Sequence, residues 1–186
     1  MNEFFTSDLH LGHGNIIKYC SRPFRDADHM NQRLIANINE RCKKNDTLYH
    51  LGDFCCYGKA RGVEGMRKHS EEYEAMIKPK LIHLMGNHDK NNKTKGLIYG
   101  SFMIIGDYQV WATHKPPWDL ISPPENVTAY LCGHVHDKWQ VEKWHNKPVI
   151  NVGCDVWNYR PIRKDELINF IKENKTDVSA DLVKDI

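Results

Sequence analysis

The sequence predicts an α/β fold in which two β-sheets face each other and helices flank them. In the first half of the chain, apolar strands alternate with amphipathic helices, which is the order that builds a parallel sheet. After Gly96 the pattern changes to short strands separated by brief turns, which indicates a second sheet. The length of 186 residues and a hydrophobic content of 40% suit one compact domain with a real core.

Three strands are predicted in the first half of the chain. They are short apolar runs that end in polar residues, and they span 3–8, 47–51 and 80–85. Helices are predicted over 15–19 and 26–44, between the first and second strands, and over 63–77, between the second and third. The helix over 26–44 is the clearest, because an apolar residue recurs at every fourth position from Met30 to Cys42. Asp26 or Asp28 is the expected N-cap.

The second half of the chain is predicted to hold five short strands and a last helix. The strands cover residues 102–105, 109–113, 128–132, 138–144 and 149–152, and the helix covers 163–172. The chain contains no internal repeat and no long linker. We therefore expect a single domain over 1–175, followed by a C-terminal tail over 176–186.

Composition and charge exclude several classes of protein. No apolar run approaches the ~18–20 residues of a membrane span, and the N-terminus lacks the pattern of a signal peptide, so a cytoplasmic protein without membrane contact is expected. A net charge of +2 gives little support to nucleic-acid binding. The six cysteines form no C-x-x-C pair, which favours free, mostly buried thiols over disulfides or a cysteine-held zinc ion.

The tetrapeptide Gly86-Asn87-His88-Asp89 directly follows the third predicted strand. The glycine allows a sharp exit from the strand. The amide oxygen of Asn87 can bind a hard cation, and the imidazole of His88 can exchange a proton near neutral pH. The carboxylate of Asp89 can orient that ring. The tetrapeptide alone is also ordinary turn chemistry, so its meaning depends on the rest of the chain.

Further carboxylates and imidazoles follow the other predicted strands: Asp8, His10, Asp53, His114, His134 and His136. Ligand sites in α/β sheets form outside the carboxyl ends of strands, so we expect these side chains to converge. Asp8 and His10 lie two positions apart, and on an extended backbone both would point to one face. Oxygen and imidazole donors without thiolate suit Mn²⁺, Fe or Zn²⁺.

The number of candidate ligands points to two ions. With Asn87 there are seven ligands, whereas one ion binds about four to six groups. Sharing Asp53 as a bridge gives each ion four protein groups. Two divalent cations, two aspartates and a bridging hydroxide leave a charge of about +1, which attracts a phosphate. A pair of ions ~3.5–4 Å apart can also lower the pKa of a bridging water.

This set of motifs resembles the calcineurin-like metallophosphoesterase family, in particular its small bacterial and phage members. The matching motifs are Asp8-x-His10, Gly52-Asp53, Gly86-Asn87-His88-Asp89, His114 and Gly133-His134-x-His136, and they occur in the order and spacing of the family across residues 6–136. The resemblance implies a four-layer α/β/β/α sandwich. It also implies a dinuclear metal-dependent hydrolase for a phosphodiester or phosphomonoester, with a nucleotide-like substrate.

The resemblance also implies a role for each residue. The first ion would bind to Asp8, His10, Asp53 and His136, and the second to Asp53, Asn87, His134 and His114. A hydroxide bridging the ions would attack phosphorus, while His88, oriented by Asp89, would act as general acid on the leaving oxygen. Mn²⁺ is the expected metal, with Fe, Zn²⁺ or Ni²⁺ as alternatives. The chain departs from the family in having Phe54-Cys55-Cys56 where another Asp often follows.

Three residues beside the motifs are candidate substrate contacts. His13 is close enough in sequence to Asp8 to reach a substrate, or it stabilises its loop. Arg22 can hold a phosphate oxygen, although a solvated surface position explains it as well. Trp118 can stack on a nucleobase or an aromatic leaving group, or it can anchor its Pro-rich loop. His50 and His83 lie within strands and are expected to be core histidines with satisfied ring nitrogens.

Two other functions fit the same motifs. One is a metal-stabilised scaffold for protein binding, as in a retromer subunit of this family, which predicts loss of the general acid although His88 is present. The other is a metal-dependent nuclease, which needs a basic track that the charge does not supply. The expected partner is a small phosphate ester, and the sequence leaves the oligomeric state open.

Overall fold

The computed structural model describes residues 1–56, 69–90, 94 and 98–175. Within this part of the chain, nine strands and four α-helices alternate along the sequence. In order they are β1 (Glu3–Thr6), α1 (Gly14–Tyr19), α2 (Ala27–Arg41), β2 (Thr47–His50), α3 (Ser70–Glu74), β3 (Lys80–His83), β4 (Gly100–Ile105), β5 (Tyr108–Thr113), β6 (Ala129–Cys132), β7 (Val141–Trp144), β8 (Lys147–Asn151), β9 (Ile162–Arg163) and α4 (Lys164–Asn174). None of the described helices combines the length and the apolar character needed to cross a membrane.

The strands form two sheets. The first has the order β3-β2-β1-β9, in which β1, β2 and β3 are parallel and β9 is antiparallel to β1. The second has the order β4-β5-β6-β8-β7, with β5, β6 and β8 parallel and an antiparallel strand at each edge. The parallel strands bring their carboxyl ends to one edge of each sheet.

Neighbouring residues of β1 show how the core is divided. Phe4 packs in a cluster with α2, where Met30, Leu34 and Ile38 form the buried stripe. Phe5 points to the opposite face, as alternation in a strand requires, and packs in a second cluster with Val110 and other residues of the second sheet. The first sheet is therefore covered by helices on one side and by the second sheet on the other, and the predicted α/β sandwich is confirmed.

The capping of α2 follows its sequence. Asp26 has an extended backbone, and its side chain accepts a hydrogen bond from the backbone N–H of His29 at 2.7 Å. Of the two candidate N-caps, Asp26 is thus the one used.

All six cysteines are free and buried, as predicted. On the outer face of the second sheet, Tyr130 packs in a cluster with tryptophans.

Several element boundaries differ from the predictions. The first strand ends at Thr6 rather than at residue 8, and α2 ends at Arg41 because Cys42 has an extended backbone. The two-residue strand β9 was not predicted, and Arg163, which was assigned to the last helix, belongs to it. Of the helix predicted over 63–77, only α3 is helical among the described residues 69–77, so the helix ends three residues earlier than predicted. Residues 63–68 and the tail over 176–186 lie outside the described residues.

His50 and His83 are buried, but they are not satisfied as expected. Their rings lie 5.5 Å apart and both contact Phe54 edge-on. Neither nitrogen of either ring has a hydrogen-bond partner among the described residues. Burial keeps both rings neutral, since it lowers the pKa of His83 to about 4 and that of His50 well below its ordinary value.

Candidate metal centre

All seven predicted metal ligands follow parallel strands at the carboxyl edges of the two sheets. Asp8 and His10 follow β1, Asp53 follows β2 and Asn87 follows β3. From the second sheet, His114 follows β5, while His134 and His136 follow β6. The side chains of Asp8, His10, Asp53 and His114 are buried, whereas Asn87 is exposed and the last two histidines are half-buried.

Two groups of potential metal-ligand atoms lie next to each other at the carboxyl edges of the sheets. Asp8, His10 and His136 each offer an atom within 4.8 Å of the other two, and Asp8, Asp53 and His114 form a second group within the same limit. The groups are joined by short distances, since His10 Nε2 lies 3.9 Å from Asp8 Oδ1 and 3.6 Å from Asp53 Oδ2. Asp8 belongs to both groups, and Asp53 Oδ2 also reaches both, since it lies 3.4 Å from His114 Nε2 as well.

The remaining two predicted ligands lie on the His114 side. Asn87 Oδ1 is 3.0 Å from His114 Nε2, which itself is 3.4 Å from Asp53 Oδ2. The His134 ring centroid is 5.1 Å from that of His114. The backbone N–H of His134 also donates to Asp8 Oδ2 at 2.9 Å. Residues from both sheets thus meet around the two aspartates.

Asp8 and His10 converge for a different reason from the one predicted. The sequence argument placed Asp8 and His10 on an extended backbone, but both have left-handed φ angles, of 56° and 49°. Asp53, His134 and His136 are left-handed as well, with φ of 58°, 71° and 51°. Such backbone costs about 1–3 kcal/mol per residue and persists only where surrounding contacts enforce it. This clustering of strained residues marks the edge as a functional site.

Backbone pairing continues beyond the ends of β1 and β2 and supports this conformation. The N–H of Asp8 donates to the carbonyl of Gly52 at 3.0 Å, and the N–H of His10 donates to the carbonyl of Asp53 at 3.0 Å. The loops that follow the two strands therefore stay in register. Their side chains are held at fixed positions with respect to each other.

Arg22 lies buried behind the ligands, so the solvated surface position that was one of its two interpretations is wrong. Its guanidinium is buried and donates to the carbonyl oxygens of Asp8 at 2.7 Å and Leu9 at 3.1 Å. It also pairs with Asp155 through Nε–Oδ1 at 2.7 Å and Nη2–Oδ2 at 2.8 Å. Its donors thus hold the strained backbone of the first motif instead of facing a substrate.

Asp155 is a site residue that the sequence analysis missed. Its Oδ2 lies 3.5 Å from His136 Nδ1, an electrostatic contact with a predicted ligand ring that does not meet the geometry of a hydrogen bond. Burial favours neutral His136, but the Asp155 carboxylate and Asp8 outweigh it and raise the pKa of the ring. A signal was present, because Asp155 follows β8 and Gly153 much as Asp53 follows β2 and Gly52.

Asp89 is placed differently from the expectation that it orients His88. Its buried carboxylate accepts hydrogen bonds from the backbone N–H groups of Asp53 at 2.8 Å, Phe54 at 3.0 Å and Gly86 at 2.7 Å. Asp89 therefore joins the loops after β2 and β3. Gly86 permits their close approach, because a Cβ there would lie 2.1 Å from Asp53 Oδ1, and this rather than a sharp exit explains the glycine.

His88 lies on the solvent side of the cluster. Its side chain is 50% exposed, and its Nε2 is 3.9 Å from Asp53 Oδ2. Its backbone N–H donates to Asp53 Oδ1 at 2.9 Å, which fixes the position of the residue. The His13 ring is also close, 5.4 Å from that of His10. Trp118 is 43% exposed, and its ring lies 5.7 Å from that of Trp139.

The charges of the cluster favour a protonated ring at His114. Burial disfavours a charged His114, but the hydrogen bond and charge of Asp53, together with Asp8, outweigh it and raise the pKa of the ring to about 9. Burial also acts to raise the pKa of Asp53, yet His114 and His10 hold it below its ordinary value. His114 Nδ1 lies 2.8 Å from the carbonyl of Leu51, so Nε2 is the nitrogen that faces the cluster.

Buried side-chain atoms without hydrogen-bond partners indicate whether metal ions fit between the ligands. Among the described residues, Asp8 Oδ1 and both ring nitrogens of His10 have no hydrogen-bond partner. Leaving such groups unpaired costs about 1–3 kcal/mol each, and more for a charge. A cation would supply the missing partner for Asp8 Oδ1 and for the His10 nitrogen that faces it. The donors present are oxygens and imidazoles, which fit a divalent ion of intermediate hardness.

A third donor group contains a thiol. Cys20, His136 and Asp155 also offer atoms within 4.8 Å of one another. Burial raises the pKa of the Cys20 thiol to about 11, which disfavours the thiolate. Asp155 is already paired with Arg22. This group is therefore less suited to a cation than the two that contain Asp8.

Comparisons with known proteins agree with the geometry. The family model described as calcineurin-like phosphoesterase matches residues 4–181, which extends into the segment expected to be a tail. An uncharacterized protein of Methanocaldococcus jannaschii is 30% identical over 177 residues, covering 92% of this chain and 92% of that protein. A crystal structure of a protein of unknown function from Aquifex aeolicus superposes with a TM-score of 0.69 at 25% identity, covering 91% of this chain and 99% of the other.

Proposed function

The chain belongs to the calcineurin-like phosphoesterase family, and on that premise we propose that it is a dinuclear metal-dependent phosphoric ester hydrolase. The observation that carries the proposal is the set of buried, unsatisfied donor atoms of Asp8 and His10 within two joined groups of ligands. A protein without a metal would gain nothing from burying these atoms unpaired. The substrate is a small phosphate ester, monoester or diester.

The ligands divide into two sets that share Asp53. Asp8, His10 and His136 would hold the first ion together with Asp53, whose Oδ2 lies 3.6 Å from His10 Nε2. His114, Asn87 and His134 would hold the second ion with the same carboxylate. When bound, two divalent ions polarise the phosphoryl oxygens and activate a water as nucleophile. We propose Mn²⁺, and Fe, Zn²⁺ or Ni²⁺ accept the same donors.

His88 is the proposed general acid. The backbone N–H of His88 binds Asp53, the ring nitrogen Nε2 lies 3.9 Å from the same carboxylate, and half of the side chain faces solvent. This position allows it to reach the leaving oxygen of an ester bound at the cluster and to donate a proton as the P–O bond breaks. His13, whose ring lies beside that of His10, would contact the substrate from the opposite side.

Metal-dependent hydrolysis tests the proposal directly. The protein is stripped with a chelator, loaded with Mn²⁺ and assayed on p-nitrophenyl phosphate and bis(p-nitrophenyl) phosphate. We expect turnover of at least one ester that requires the metal, and a loss of about a hundredfold or more in Asp53→Asn. Asp107→Asn, at an exposed turn, is the matched control and should retain activity. Turnover of neither ester, or full activity of Asp53→Asn, would refute the assignment.

A further inference from the structure

We propose that the substrate carries an aromatic group on its phosphate ester, and that this group binds in an apolar pocket beside His114. The proposal rests on the proposed function. The pocket has a volume of about 620 Å³, and its lining includes Asn87 and His114, two of the four residues assigned to the second ion. An ester whose phosphate lies on the ions would therefore point one substituent into the pocket.

The walls of the pocket include residues of β5 and of segments outside it. Trp111 and Thr113 lie on one face of β5, as their spacing of two in a strand requires. Tyr99 and Ile121 also line the pocket and are 70% and 105% exposed. Large apolar side chains that face water around a cavity are the feature of a site that a ligand covers.

The charges around the pocket favour an anionic ligand with a ring. Lys90 and Lys115 both line it, against one carboxylate, that of Asp119. Lys90 Nζ lies 5.5 Å from the centroid of the Tyr99 ring, a cation–π contact that holds the ammonium group beside the aromatic wall. The lysines attract the phosphate ester, and Tyr99 and Trp111 offer surfaces for its ring. An ester with a small alkyl group would leave these walls in water.

The size of the pocket limits the ligand that fits, and its lining shows which aromatic residues can contact that ligand. Ligand pockets of about 300–1,000 Å³ hold small organic molecules, so the volume is sufficient for a phenyl ring or a nucleobase. Trp118, which the sequence suggested as the stacking residue, is not part of this lining. The aromatic recognition is thus assigned to Tyr99 and Trp111.

Binding of non-hydrolysable phosphonates tests this inference without relying on turnover. The Mn²⁺-loaded protein is titrated calorimetrically with phenylphosphonate and with methylphosphonate. We expect the phenyl compound to bind at least about tenfold more tightly, because an aromatic ring stacked on a side chain contributes that much. The double variant Tyr99→Ala/Ile121→Ala should reduce the preference to about twofold, because it should weaken phenylphosphonate binding far more than methylphosphonate binding.

Ile104→Ala is the matched control, since Ile104 is exposed on the neighbouring strand but does not line the pocket. It should keep the full preference for the phenyl compound. Equal binding of both phosphonates to the unaltered protein, or a preference that survives in the double variant, would overturn the pocket assignment while leaving the metal site intact. Binding of neither compound would overturn the proposed function as well.

Discussion

The guanidinium of Arg22 and the carboxylate of Asp155 form a buried, two-pronged ion pair behind the ligand cluster. Through this pair the two sheets are connected at the site. Arg22 binds the backbone carbonyl of Asp8, which follows β1, and Asp155 contacts the ring of His136, which follows β6. The pair therefore positions two proposed ligands of the same ion.

Replacing Arg22 with methionine should strongly destabilise the protein. The variant leaves Asp155 buried without its partner and removes the donors that hold the Asp8 backbone, so we expect a loss of about 3–5 kcal/mol in the free energy of unfolding. The measurement is urea unfolding of the chelated protein. Arg160→Met removes an exposed ion pair with Glu40 and should cost less than about 1 kcal/mol. Equal effects of the two variants would show that the buried pair does not hold the site.

The variant Asp89→Asn tests whether Asp89 stabilises the loops after β2 and β3 or orients the His88 ring. The amide has one acceptor oxygen, so its NH₂ group would face backbone N–H groups that now donate to the carboxylate. We expect a loss of about 1–3 kcal/mol in metal-free stability, measured by urea unfolding. Asp107→Asn serves as the exposed control. An Asp89→Asn variant with native stability but reduced activity would instead support the orientation of His88.

The positions of the ligands could be predicted from the sequence because the relevant rule is local. A strand followed by glycine and then by Asp, Asn or His identifies the carboxyl end of a strand, and parallel strands place those ends together. Asp53, Asn87 and His134 all follow this pattern and meet at the two sheet edges. The general layout of the site thus follows from strand topology.

The residues that support the ligands could not be predicted in the same way. Arg22 lies in an irregular segment, and its partner Asp155 is 133 positions away, so no local pattern connects them. The left-handed backbone of Asp8 and His10 depends on contacts with Gly52 and Asp53, which exist only after the strands have paired. Sequence patterns indicate which face a strand residue occupies, but a residue beyond the strand is oriented by tertiary contacts.

The role of His88 can be tested through the leaving group. A general acid matters most when the departing alkoxide is strongly basic, so His88→Asn should slow hydrolysis of an alkyl ester by about 10²–10⁴-fold. Hydrolysis of a p-nitrophenyl ester should be affected much less, because its leaving group needs little protonation. The comparison of kcat for the two esters is the measurement, and the exposed His145→Asn is the control. An equal loss on both esters would contradict the assignment.

Metal binding should release a proton from His114. In the metal-free protein its pKa is about 9, so the ring is protonated at pH 7.5, and Nε2 must lose that proton to bind an ion. Mn²⁺ affinity should therefore rise with pH toward that value. Calorimetry in two buffers with different ionisation enthalpies counts the protons released. His114→Gln should release about one proton fewer, whereas binding to the unaltered protein without proton release would disprove the linkage.

The buried pair of His50 and His83 should make the protein sensitive to acid. The pKa of His83 is about 4 in the fold, against ~6.5 in an unfolded chain, so only the unfolded state gains this proton between those values. Stability is therefore fully present above about pH 6.5 and declines as the pH falls toward 4, with about 2 kcal/mol lost by pH 5 from His83 alone. His83→Leu should remove that part of the decline, because leucine has no nitrogen to protonate and fills a similar apolar space. The measurement is the free energy of unfolding at pH 7 and at pH 5. The exposed His145→Leu is the control. An unchanged pH dependence in His83→Leu would exclude this origin of acid sensitivity.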